Sequence, residues 1–128
     1  MTTRQLASEW LGYARDDLRS ADFLTQLHPQ PREIICFHAQ QCAEKSLKGM
    51  LVLKGKRPPR THDLEELASL LVEKAVQTGV RESLEALNAY AVVTRYPSVT
   101  EVTDSDVTTA LSAARVVLSV ATGRIERS

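Results

Sequence analysis

Four polar residues recur at steps of three and four in the stretch FHAQQCAEKSLKGML, Phe37 to Leu51: His38, Gln41, Lys45 and Lys48. On a helix that spacing places them along one side. An imidazole, an amide and two ammonium groups in a row have the chemistry to hold an anion such as a phosphate. Arg95 and Tyr96 extend the set, the guanidinium as a further phosphate contact and the phenol ring as a surface for stacking a base. Other readings of the row are equally open. Glu44 can pair with Lys48 at a spacing of four and make a solvated helix face, and His38 and Gln41 can bond across a dimer or to a protein partner.

Other chemistries find no support. Asp16 and Asp17 are adjacent and point in different directions on a helix, so they form no carboxylate pair of the kind acid–base hydrolysis needs. Asp17 borders an apolar stripe and is placed to face Lys45 or Arg95. No glycine-rich phosphate loop, no HExxH, no GxSxG and no metal-ligand cluster occurs, so neither a metal nor a cofactor is expected. Cys36 and Cys42 sit six residues apart on one expected helix, about 9 Å along its axis, beyond the reach of a disulfide. They read as small core residues.

The 128 residues suit one domain spanning the whole chain, 1–128. Hydrophobic residues make up 43% and charged residues 25%, which describes a globular chain. Acids and bases balance at 16 each, so any anion site must be a local patch and not a property of the bulk charge. The opening MTTRQLASEW has no apolar signal region and no run approaches membrane-spanning length, which makes a cytoplasmic location the expectation, with no membrane association.

The elements that must position these residues are helices. Leu6, Trp10, Ala14, Leu18, Ala21 and Leu24 repeat at helical spacing and predict a first helix from about Thr3 to Leu27, with Trp10 and Tyr13 in the core. Pro29 and Pro31 separate it from a second, from about Arg32 to Lys54, which Gly55 stops. Ala39, Ala43, Ser46, Leu47 and Met50 form the core side of that helix. Asp63 followed by Glu66 fits a capping box for a third, with Leu64, Leu67, Leu70 and Leu71 as its apolar face. Gly79 is expected to break the chain before a fourth helix from about Arg81 to Val93. Thr103 followed by Asp106 is a second cap signature, and Val107, Leu111, Ala114, Val117, Leu118 and Ala121 carry the last helix to about Arg124. Short connections between long helices predict an all-α, antiparallel bundle of about five helices.

Four segments in this order resemble the HEPN domain family: WLGYARDDLRSADFL (Trp10 to Leu24), CFHAQQCAEKSLKGMLV (Cys36 to Val52), PPRTHDLEEL (Pro58 to Leu67) and TRYP (Thr94 to Pro97). The resemblance implies a helical bundle that is usually a homodimer. It also implies two functional models. Many prokaryotic members pair with a minimal nucleotidyltransferase in a toxin–antitoxin-like module. Others are metal-independent RNases, using an arginine followed four to six residues later by a histidine from each subunit. No histidine follows Arg95, the expected place. Arg57 and His62 match that spacing, in the proline-containing loop RPPRTH. The leading expectation is therefore a nucleotide- or RNA-phosphate-binding homodimer acting with a nucleotidyltransferase, through His38, Gln41, Lys45, Lys48, His62, Arg95 and Tyr96. The alternatives are an RNase, with Arg57, His62 and Arg95 as catalytic candidates, and a non-catalytic interaction module.

Overall fold

The computed structural model describes residues 1–88, 90 and 101–127. Its helices are α1 (Thr3–Leu24), α2 (Arg32–Leu53), α3 (Leu64–Ser69), α4 (Lys74–Asn88) and α5 (Asp104–Glu126), and no strand occurs among the described residues. The all-α bundle expected from periodicity is the observed architecture. Arg95 and Tyr96 lie outside the described residues.

The helix ends follow local chemistry. Thr2 and Gln5 form a reciprocal capping box at the start of α1, and Thr103 and Asp106 form another at α5. Gly55, at φ +76°, ends α2: its N–H donates to the Val52 carbonyl, and the Lys56 N–H donates to the Leu51 carbonyl. That pairing needs a left-handed residue, which glycine supplies without strain. Asp63 caps α3 by accepting from the Glu65 and Glu66 N–H groups. The expected box is only half formed there, because the Glu66 carboxylate accepts from the Thr61 hydroxyl instead.

α2 and α5 form the middle of the bundle. Fourteen of the 22 residues of α2 are buried, against five of the 22 in α1. This explains why α2 carries no clean apolar stripe: it meets protein on nearly every side. α1 packs on α2 and α5 from one side, and α3 and α4 pack from the other. α1 and α4 do not touch among the described residues. α1 runs antiparallel to α2, since Ala7 and Trp10 lie against Gly49 while Asp17 meets Lys45 and His38. α5 runs alongside α2 in the same direction, with Asp104 beside Arg32 and Ile125 beside Gly49.

Small residues let α1 approach α2 closely. Ala7, Ala14 and Ala21 are fully buried at seven-residue spacing in α1, and Ala39, Cys42, Ala43 and Ser46 are fully buried in α2. Gly49 is tightly enclosed: a Cβ there would stand 3.2 Å from both Trp10 Cβ and Ile125 Cδ1.

Three expectations need correction. The buried stripe of α1 is rotated from the expected one. Ala7 and Leu11 face inward, whereas Leu6 and Tyr13 are exposed at 40% and 59%, and Trp10 is half-buried. Close packing places the small alanine row, with Leu11 beside it, at the contact with the neighbouring helices. Gly79 does not break the chain but lies inside α4. The break falls at residues 70–73, so Leu70 sits beyond α3 and is 38% exposed. Val76, Val80, Leu84 and Leu87 supply the α4 stripe across Gly79, and this burial outweighs the roughly 1 kcal/mol helix penalty of one glycine.

A candidate binding site built on two buried carboxylates

The polar row of α2 does not form a solvated face. It lies along the seams that α2 makes with α1 and with the loop preceding α3, and two carboxylates divide it into clusters. Asp17 of α1, 9% exposed, accepts from Lys45 Nζ at 2.6 Å through one oxygen and meets His38 Nδ1 at 2.9 Å through the other. Glu44 of α2, 4% exposed, accepts from Lys48 Nζ at 3.2 Å and meets His62 Nδ1 at 2.7 Å. The two clusters share one design: a buried carboxylate, a lysine on one oxygen and an imidazole on the other.

The expected pairing of Glu44 with Lys48 is present, but both residues are buried and do not make a solvated face. Lys48 also sits 5.8 Å from the centroid of the Trp10 ring, a cation–π contact that further spares its charge from isolation. Asp17 faces Lys45, as its place beside the apolar stripe implied. Gln41 donates to Gln40 Oε1 and to Glu44, and the fully buried Gln40 donates to the backbone carbonyl of His62. This amide relay fixes the loop that carries His62. No buried side-chain polar atom among the described residues lacks a partner, so the network is closed.

A carboxylate facing Nδ1 at hydrogen-bond distance places a proton on that nitrogen and turns the Nε2 edge away from the partner. The His62 side chain is 54% exposed and that of His38 28%, so both rings reach the surface. With the imidazole neutral each cluster has no net charge; with it protonated each carries one positive charge. His38 also lines an open groove with Ser20, Phe23 and Gln26. Arg57, in the loop after α2, makes no ion pair with any described residue.

Glu44 and Gln40 are the residues whose weight the pattern of cationic side chains did not reveal. Their neighbours in QQCAEK gave the only signal, since two amides and an acid within a buried helix require partners. Cys36 and Cys42 are free and buried, as expected, and burial raises both thiols to about 12. Among the described residues, no group of three or more histidine, cysteine or acidic side chains is placed to hold a metal, and no helix is long and apolar enough to cross a membrane.

The family model described as the HEPN domain matches residues 7–125. The chain belongs to the HEPN family. Two solved structures resemble this HEPN protein over nearly their whole length. TT1696 from Thermus thermophilus is 28% identical, with a TM-score of 0.76, over 92% of this chain and 97% of that one. ST0689, described as an archaeal HEPN homologue, is 27% identical, with a TM-score of 0.74, over 93% and 97%. No curated protein sequence matches this HEPN chain.

Proposed function

We propose that this HEPN protein is a homodimer that binds nucleotide or RNA phosphate and acts with a minimal nucleotidyltransferase in a toxin–antitoxin-like module. The observation that carries the binding reading is the pair of imidazoles, His38 and His62, each hydrogen-bonded to a buried carboxylate and reaching the surface. Lys45 and Lys48 are already neutralised by Asp17 and Glu44, so they set the local field while the imidazole edges meet the ligand. Arg95 and Tyr96, outside the described residues, are proposed from the sequence alone as a further cation and a stacking ring. The exposed apolar side chains Leu6, Tyr13, Ile34 and Phe37 occupy the outward sides of α1 and α2 and supply a surface for the dimer.

Equilibrium titration with ATP, GTP and a short RNA tests this reading, alongside sedimentation to read the oligomeric state. Saturable binding that His38→Gln and His62→Gln weaken supports it. A monomer that binds none of the three overturns it. Co-purification with the nucleotidyltransferase tests the partner.

One observation favours a second reading, a metal-independent RNase. An imidazole oriented by a carboxylate is the arrangement of a general base, and Arg57, with no ion-pair partner among the described residues, is left to meet phosphate. Cleavage of RNA in EDTA that His62→Ala or Arg57→Ala abolishes would establish it; RNA left intact by the folded protein would exclude it.

A further inference from the structure

On the side of the bundle away from α1, the end of α2, the chain between α3 and α4, and the last turns of α5 enclose a cavity of about 680 Å³. Pockets that take small organic molecules span roughly 300–1,000 Å³. Met50, Val76 and Val120 give it an apolar wall, and Leu70 and Val72 leave apolar side chains 38% and 78% exposed at its edge.

The charge around it is lopsided. Among the described residues, Lys54, Lys56, Arg124 and Arg127 line the cavity against a single carboxylate, Glu73. In a chain whose acids and bases balance at 16 each, this excess is local. Glu73 bridges two of the cations, Lys54 on one oxygen and Arg124 on the other. The wall therefore already holds a carboxylate, its own. The other two cations have no counter-charge among the described residues. Lys56 Nζ reaches the Leu70 carbonyl, at 2.7 Å, and Arg127, packed over Gly123, makes no ion pair with any described residue.

We propose that this cavity binds an amphipathic organic anion, with its apolar body against Met50, Val76 and Val120 and its carboxylate or phosphate group paired with Lys56 and Arg127. A neutral apolar molecule would leave both cations without a counter-charge, and free phosphate would leave the apolar wall wet. The site shares no residue with the His38 and His62 clusters, so it stands or falls apart from them.

Calorimetric titration of the full chain with decanoate, decyl phosphate, decanol and inorganic phosphate tests the assignment. One or both of the decyl anions should bind at least tenfold more tightly than decanol, and inorganic phosphate should not saturate over the same range. Whichever decyl anion binds better names the head group. Lys56→Gln combined with Arg127→Gln should weaken that anion tenfold or more with the melting temperature unchanged, and Val120→Phe should weaken it by filling the wall. Equal affinity for decanol and the anions, undiminished binding in the double variant, or no binding of either decyl anion overturns the proposal. The comparison of decanol with decanoate uses the unaltered chain and so does not depend on any variant folding.

Discussion

Glu44 Oε1 and His62 Nδ1 lie 2.7 Å apart, which ties the loop in front of α3 to the middle of the central helix. The same carboxylate holds Lys48, and Gln40 one turn away holds the His62 backbone. One buried acid thus fixes a lysine, an imidazole and a loop.

Removing that acid's charge should be expensive. Glu44→Gln leaves Lys48 buried without its counter-ion, and breaking a buried pair from one side typically destabilises by about 3–5 kcal/mol. Urea denaturation should show a loss near the lower end, about 3 kcal/mol, because the Trp10 face still meets the ammonium. Combining Glu44→Gln with Lys48→Met should recover part of the loss, since no unpaired charge then remains.

Asp17→Asn separates stability from binding. It keeps the size of the side chain and one acceptor oxygen but removes the negative charge and the second oxygen that Lys45 and His38 share. The fold should weaken by about 1–3 kcal/mol. Phosphate affinity at the same surface should rise, because an uncompensated lysine is exposed to the ligand. Isothermal titration with inorganic phosphate and a parallel denaturation curve read the two effects; a variant with unchanged stability would show that the cluster does not hold α1 to α2.

Glycine substitutions should diverge in sign. Gly49→Ala pushes a methyl group to 3.2 Å from Trp10 Cβ and Ile125 Cδ1, and such overpacking costs about 1–3 kcal/mol. Gly12→Ala meets nothing within 4 Å, and Gly79→Ala meets Val120 Cγ2 at an ordinary 3.7 Å. Both lie inside helices and should gain about 0.5–1 kcal/mol. Thermal unfolding of the three variants measures this directly.

Acid should weaken the protein in a defined window. Glu73 is held below its ordinary value of 4.5, first by the hydrogen bond from Lys54. Asp106 is held below 3.8, first by the Thr103 backbone N–H and then by its hydroxyl. A carboxyl whose folded pKa is depressed contributes its full stabilisation above the unfolded value and loses it as pH falls through the folded one. The melting temperature should therefore decline below about pH 4.5. In Asp106→Asn it should start lower and fall less steeply over the same titration.

The thiols should be silent in the native state. Burial is the largest cause of the rise to about 12 at both Cys36 and Cys42, so almost no thiolate is present near neutrality. An aromatic disulfide reagent should label both only as the protein unfolds, and prompt labelling of the folded chain would contradict their placement.

Much of the architecture was legible because helix signals are local. Thr103 with Asp106, and Gly55 at the end of α2, act through bonds within a few residues, so their types alone mark the boundaries. The motifs around Gln41, Lys45 and Lys48 and around His62 likewise identified the family from residue identity and order. Gly79 misled because its helix penalty is small beside the burial of Val76, Val80 and Leu84, and that burial exists only once α4 meets α5.

By itself the sequence determined the all-α class, the extent of α2 and α5 with their end signals, the family and the list of polar residues able to meet a ligand. Only the tertiary structure decided how those residues are partnered. Asp17 lies 28 positions from Lys45, and Glu44 lies 18 from His62. Periodicity ranks faces within one helix, but it does not fix the rotation of that helix against its neighbour. That rotation was set where Ala7 and Trp10 of α1 close on Gly49, and it gathered the row into two carboxylate-centred clusters that leave the two imidazoles and the part-exposed Lys45 at the surface.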